Sequence, residues 1–295
     1  MLQGLPSRPF LRAPLIFSLL PLLLMMPTTI LASTHKIGSD LFAYISENDS
    51  SANSTFLITT AGILVVDTGL NDQEGRKLLA EIRKISALPV RYIVNTHYHP
   101  DHRGGNSAVG PGATIISTTF TLSQEAGRIP AYSSAPEKIT FTGRIRLYLG
   151  GYEIEIYFPG PGHTMGDAVV YFPQQRAIAT GDLFLTNCSP AMDQGDMENW
   201  IAILDSMLKA PIETVVPGHF ELAGKEQLQR FRDYLADLRD QVSPLFHSGV
   251  PLEQVLKRLD LSKYKDFRQY PQYEATFTDN AASYYRQREA RAQHH

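Results

Sequence analysis

The chain has very little sulfur chemistry available: one cysteine, Cys188, in 295 residues. That excludes an intramolecular disulfide and a cysteine-based zinc knuckle. It has no basic block and a formal net charge of −3, so it offers no electrostatic footprint for a polyanion, and no nucleic-acid partner is expected. It contains no short-period repeat and no low-complexity tract. Long apolar runs are also missing, apart from "LIFSLLPLLLMM" (15–26), which follows Arg8 and Arg12 and is interrupted by Pro21. A membrane-spanning helix needs roughly 20 apolar residues. This run is too short, and "PTTILAS" after it supplies small residues around Ala32. The pattern predicts a secretory signal over residues 1–32, with no membrane anchor after cleavage and a periplasmic or secreted location. No cysteine stands near the cleavage point for lipid attachment. An exported chain without disulfides must be held by its own core, and about 260 residues are enough to build one.

The remaining sequence alternates between strand and helix patterns. "DLFAYISE" (40–47), "STFLITT" (54–60) and "GILVVDT" (62–68) read as antiparallel strands. Apolar residues at 78, 79, 82 and 85 give "DQEGRKLLAEIRKIS" (72–86) a helical period. Strands follow at 89–96, 113–118, 144–150, 152–158, 168–172, 177–180 and 213–219. Helices are predicted at 197–210 and 225–246, with Trp200 in the helix core. This mixture predicts an α/β sandwich of sheets covered by helices over 33–250. A polar, mostly helical extension is expected over 251–295, and its aromatic "YPQYEATF" (270–277) can pack back on the core or line an entrance, packing being the expected reading. The loops near 128–137 and 187–196 are the expected substrate contacts.

Histidine is where the chemistry concentrates. Of nine, His35, His247, His294 and His295 sit in the mature N-terminus, at a helix end and in the tail. The other five, His97, His99, His102, His163 and His219, follow predicted strands or open glycine-flanked turns. "NTHYHPDHRGGN" (95–106) holds three of them with Asp101. In an extended segment alternate side chains share a face, so His97 and His99 reach one metal from one side. Asp101 and His102 come after the chain turns at Pro100 and face a second metal nearby. Gly104 and Gly105 allow tight backbone there. Imidazole and carboxylate donors without thiolate suit zinc, and also iron or manganese. Cys188 reads as a small buried apolar residue.

The ordered set "HYHPDH", "GHT" (162–164), "TGD" (180–182) and "PGH" (217–219), with "VVDTG" (65–69) ahead of the first helix, resembles the metallo-β-lactamase-fold hydrolase superfamily over about residues 40–222. The resemblance implies a four-layer αβ/βα sandwich with a dinuclear zinc site at its open edge. His97, His99 and His163 would bind the first ion, and Asp101, His102 and His219 the second. Asp182 would bridge them, and Asp67 would brace the motif loop. Two such ions lower the pKa of a shared water and polarise a carbonyl or phosphoryl oxygen. Asp101 would orient the nucleophile or take its proton.

The implied function is hydrolysis of a small-molecule ester, lactone, amide or thioester. The largest β-lactamase subclass has Cys where this chain has Asp182, and Lys where it has Leu185. That Lys grips the drug's carboxylate, so this grip is missing here. A subclass without the Cys keeps β-lactams among the candidates. Export argues against a glutathione thioester. Two other functions fit the same ligands: an iron persulfide dioxygenase-like oxidoreductase, and a non-catalytic metal-dependent binding module.

Overall fold

The computed structural model describes Met1 and residues 33–125, 139–192 and 194–293. Most of the segment read as a signal, the loop near 128–137, and His294 and His295 lie outside the described residues.

The antiparallel opening predicted from the sequence is present. Strands β1 (Ser33–Lys36), β2 (Leu41–Ile45), β3 (Ser54–Thr59) and β4 (Gly62–Val66) form a meander. Helix α1 (Asp72–Ile85) then crosses over to β5 (Val90–Val94), which lies parallel to β4. The short helices α2 (Pro100–Arg103) and α3 (Asn106–Val109) lead to β6 (Thr114–Thr118). Helix α4 (Thr119–Glu125) follows, and β7 (Ile139–Phe141) closes this seven-stranded sheet in parallel fashion. The second sheet has five strands: β8 (Arg144–Leu149), β9 (Tyr152–Tyr157), β10 (Val169–Phe172), β11 (Ala177–Ala179) and β12 (Thr214–Val216). Its strands are antiparallel except that β11 and β12 run parallel, because α5 (Met197–Lys209) makes the crossover between them. Helices α6 (Lys225–His247), α7 (Leu252–Arg258) and α8 (Phe277–Gln293) complete the fold.

Side-chain alternation explains the layering. In β4, Leu64 and Val66 point inward to meet Ile154, Ile156 and Val170 of the second sheet. Ile63 and Val65 point outward onto Leu78 and Ile82 of α1. A strand with apolar residues on both faces must be covered on both sides. On the far side of the second sheet, Val169, Ile178 and Val215 pack against Trp200, Leu204, Phe231 and Leu235 of α5 and α6. The result is helix, sheet, sheet, helix. Helix α1 begins at Asn71, whose side-chain oxygen accepts from the backbone N–H groups of Gln73 and Glu74 at 2.9 and 3.1 Å. The predicted apolar stripe of α1 loses its last member, since Ile85 is exposed where the helix ends.

The residues after 251 are helical over α7 and α8, with two 3-10 turns and irregular backbone between them, and they are well packed. Tyr264, Phe267, Ala281, Tyr284 and Tyr285 join the same core as Trp200 and Tyr234. Five short elements, β1, β7, α2, α3 and α4, were not anticipated, because three to seven residues are too few to show a period. The strand predicted over 213–219 stops at Val216, which leaves His219 on the turn beyond it. Among the described residues, no helix is long and apolar enough to cross a membrane.

Candidate metal centre

The seven predicted ligands come from four separate stretches of chain and meet at one edge of the sandwich. His97 and His99 follow β5, and Asp101 and His102 sit in the first turn of α2. His163 lies between β9 and β10, Asp182 in the 3-10 turn after β11, and His219 after β12. Each leaves its strand at a carboxyl end or the loop beyond it, where α/β folds place their ligand sites.

The ligands divide into two groups. His97, His99, His163 and Asp182 converge, and so do Asp101, His102, His219 and Asp182. In the first group, His97 Nε2 and His163 Nε2 lie 2.9 and 3.2 Å from His99 Nδ1. Asp182 Oδ2 is 3.5 Å from His163 Nε2 and 3.9 Å from His97 Nε2. In the second, His219 Nε2 is 3.1 Å from Asp101 Oδ2. Asp182 Oδ1 is 3.2 Å from His102 Nε2 and 3.6 Å from His219 Nε2. Asp182 thus turns one oxygen to each group.

Several of these atoms lack an ordinary partner. His102 Nε2 and Asp182 Oδ1 are buried and make no hydrogen bond. A buried polar atom left unpaired costs about 1–3 kcal/mol, so two facing each other call for a cation between or beside them. The electrostatics agree. Burial, aided by neighbouring imidazoles, holds His97 neutral far below the usual histidine range, and His99 is pushed down to about 4 for the same reasons. Both therefore keep a free lone pair at neutral pH. Burial also opposes charge on His102, but Asp182, Asp101 and Asp67 outweigh it and raise its pKa. The carboxylates demand a positive charge there, which a divalent cation satisfies as well as a proton does. Burial disfavours the Asp182 carboxylate, yet His102 and His219 hold it well below the ordinary range. The donor set of five imidazoles and two carboxylates fits zinc, iron or manganese.

The support beneath the ligands is specific. Asp67 accepts from Thr96 N–H at 2.8 Å, from Thr96 Oγ1 at 2.7 Å and from His102 Nδ1 at 2.7 Å. The last bond fixes the His102 proton on Nδ1 and aims Nε2 at the site, the usual carboxylate–histidine–metal arrangement. These contacts make Asp67 a brace for the motif loop. Gly218 matters for space: a Cβ there would lie 1.9 Å from Asp182 Oδ1. Gly181 holds φ at +51°, and a Cβ would strike Thr96. Trp200 lies in the helix core as predicted, donating Nε1–H to Leu183 O at 2.8 Å, and its ring also meets His163 at 5.7 Å.

Two supporting residues escaped the sequence reading. Asp167, buried, accepts from the N–H groups of Gly162 and Thr164 and from Thr164 Oγ1, which pins the turn that carries His163. Its signal was its place in "GHTMGD", four residues past His163. Asn53 donates to Pro217 O and Phe220 O at 3.2 and 2.8 Å and so holds the His219 turn. It looked like an ordinary turn residue, and no local pattern links it to a loop so far along the chain.

A cavity of about 800 Å³ opens over the ligands. Loop residues Cys188, Ser189, Ala191 and Met192 form part of its wall, as expected for 187–196. Cys188 is buried, and burial pushes its thiol up to about 12, in line with the apolar role predicted for it. The 270–277 segment takes both of the roles open to it, with Tyr270 and Phe277 packed against the core. Ala275 packs inward, but Tyr270, Gln272, Tyr273 and Glu274 also line the cavity. A short irregular segment has no hydrophobic period to reveal which side faces a pocket.

Comparison with known proteins agrees with this geometry. The profile of the metallo-beta-lactamase superfamily matches residues 48–219. A metallo-beta-lactamase type 2 of Elizabethkingia meningoseptica is 25% identical over 218 residues, covering 70% of this chain and 86% of that protein. A linear primary-alkylsulfatase of Pseudomonas sp. (strain ATCC 19151) is 26% identical over 255 residues, covering 68% of this chain; the match spans only 48% of that protein. Among solved structures, a metallo-beta-lactamase from Pontibacter korlensis superposes with a TM-score of 0.61 at 26% identity, covering 70% of this chain and 99% of that one. The sec-alkylsulfatase Pisa1 from Pseudomonas sp. shares the fold with a TM-score of 0.72 at 16% identity, over 87% of this chain and 50% of that one. The profile match, the four-layer sandwich and the convergent histidines together place this chain in the metallo-beta-lactamase superfamily.

Proposed function

We propose that the protein is an exported dinuclear zinc hydrolase acting on an ester, lactone, amide or thioester, with β-lactams among the amides to be tested. One observation carries the reading: Asp182 turns its two oxygens to two separate ligand groups, each completed by three further donors. His97, His99 and His163 would hold one ion, and Asp101, His102 and His219 the other. Bound there, two divalent cations supply a nucleophilic hydroxide at neutral pH and polarise the substrate oxygen.

The chain's own residues do the rest. Asp67 fixes the tautomer and aim of His102. Asp101 is the most exposed carboxylate of the set, at 23% against 10% for Asp182, and it borders the cavity. It is therefore the group best placed to orient the attacking water and move its proton. The buried wall of Leu185, Cys188 and Met192 excludes bulk water on one side, which strengthens every charge interaction within. A sulfate ester is the second reading, favoured by the match to the primary-alkylsulfatase over two thirds of this chain.

The test has two parts. Protein purified without added metal is analysed for metal content, then zinc-loaded and assayed on esters, lactones, thioesters, alkyl sulfates and β-lactams. The expected result is close to two zinc ions per chain and turnover of at least one class. His97→Ala and His219→Ala are each expected to abolish turnover and lower bound metal while the fold is kept. Full activity in either variant overturns the site assignment. Iron with oxygen uptake points instead to the oxidoreductase. Full metal loading with no turnover across the panel points to a binding module.

A further inference from the structure

The residues just before α8 do more than follow the fold. Arg268 N–H donates to Asn187 O at 2.8 Å, and Ser189 N–H donates to Arg268 O at 2.9 Å. These bonds zip the tail onto the loop after Asp182. Residues 270–275 then close a small loop, with Tyr270 and Ala275 paired. Its outer side is tied to the turn between β2 and β3: Tyr270 Oη donates to Asp49 Oδ2 at 3.1 Å, and Tyr273 Oη lies 2.8 Å from Ser50 Oγ. Phe220, next to His219 and held at φ +72°, has the Arg268 guanidinium 4.5 Å from its ring centre, and its ring stacks on Tyr270 at 5.9 Å. A bulky residue at positive φ is strained, and these two contacts lock it so that its ring borders the cavity. The tail segment is therefore a strap across the mouth, anchored on both banks.

The strap sets the chemistry of the mouth. Beyond the ligands, Leu70, Leu185, Met192, Phe220, Tyr270 and Tyr273 give the cavity a largely apolar wall. The charged residues added to that wall, Asp49 and Glu274, are both acidic, and among the described residues no Lys or Arg lines it. Arg268 is committed to Glu221 at 2.5 and 3.2 Å and does not line the cavity.

We infer that residues 270–275 form the specificity wall of this enzyme, selecting substrates that project an uncharged, apolar chain or ring away from the reacting bond and turning away those with a second anionic group there. The inference rests on the two-metal reading of the site. Apolar surface entering this wall leaves water, which strengthens binding by about threefold or more per methylene. A carboxylate entering it loses its water without gaining a donor and meets two like charges.

Alkanethiols test this without knowledge of the substrate, because a thiolate binds a divalent ion directly. Cobalt-loaded full-length protein is titrated with straight-chain thiols from ethanethiol to hexanethiol and with 3-mercaptopropionate, and the thiolate-to-cobalt absorption band is followed. Affinity is expected to rise about threefold per methylene. Butanethiol should bind about tenfold or more tightly than 3-mercaptopropionate. Tyr273→Ala, at a side chain already half exposed, and Tyr270→Ala should each flatten the chain-length dependence at unchanged metal content. Asp49→Asn with Glu274→Gln should narrow the gap in affinity between 3-mercaptopropionate and butanethiol. A flat dependence on length, or tighter binding of 3-mercaptopropionate, overturns the specificity wall and leaves the metal reading standing. Failure of every thiol to perturb the cobalt spectrum overturns the metal reading, and this inference with it.

Discussion

Asp167 shows how one buried carboxylate couples the site to pH. Burial pushes its pKa up to about 6, against the opposing pull of His163, the Thr164 hydroxyl and two backbone N–H groups. Its unfolded value is near 3.8, so the folded chain holds this proton more tightly than the unfolded chain does. The sign follows from that difference. Asp167 favours the native state fully below about pH 4, and this contribution is lost as pH rises toward 6. Above that, the buried charge costs on the order of 2 kcal/mol. Urea unfolding of the metal-free parent and of Asp167→Asn, at pH 4 and pH 7, isolates the effect. The parent's stability relative to the variant should fall by roughly 2 kcal/mol between the two pH values. A pH-independent difference would show that Asp167 titrates normally.

At the scale of elements, the helices hold the site by packing from behind. Trp200 of α5 is fully buried among Leu183, Phe231 and His163, with its indole N–H satisfied by Leu183 O. Trp200→Ala should lower stability by about 3–5 kcal/mol and also loosen His163. The conservative Trp200→Phe keeps much of the packing and should recover most of that stability, though it leaves Leu183 O without its donor. Urea midpoints and metal titration of the two variants check this. Helix α8 has a different part: Asn280 donates to Ser189 Oγ and Tyr234 Oη, both at 2.8 Å. The tail therefore braces the loop that carries part of the cavity wall.

For the whole molecule, stability and metal content are linked. Five imidazoles and two carboxylates are gathered into a small volume with two buried atoms unpaired, an arrangement that costs free energy until cations occupy it. A ligand that binds only the native state stabilises it by about 4 kcal/mol per site at a thousandfold excess over its Kd. Chelator should accordingly lower the thermal midpoint by several degrees, and zinc should restore it in proportion to the logarithm of its free concentration. An unchanged midpoint would mean that the site holds no metal. With no disulfide to fall back on, the core between and outside the sheets has to carry the metal-free protein.

The sequence alone determined the strand and helix alternation, and its resemblance to the metallo-β-lactamase superfamily pointed to the sandwich and to the seven candidate ligands. Those features are local or short in period: a two-residue alternation in β4, a helical stripe in α1, and "HYHPDH" at a strand end. Tertiary structure decided everything that depends on distant partners. It brought Asn53 beneath the His219 turn, gave Asp67 its grip on His102, and laid residues 270–275 across the cavity mouth. None of these has a periodic signature, because a buried hydrogen bond or a strap contact is set by where two unrelated stretches meet and not by the order of residues within either. The ligand set was therefore legible in one dimension, while the selectivity proposed for the wall around it exists only in three.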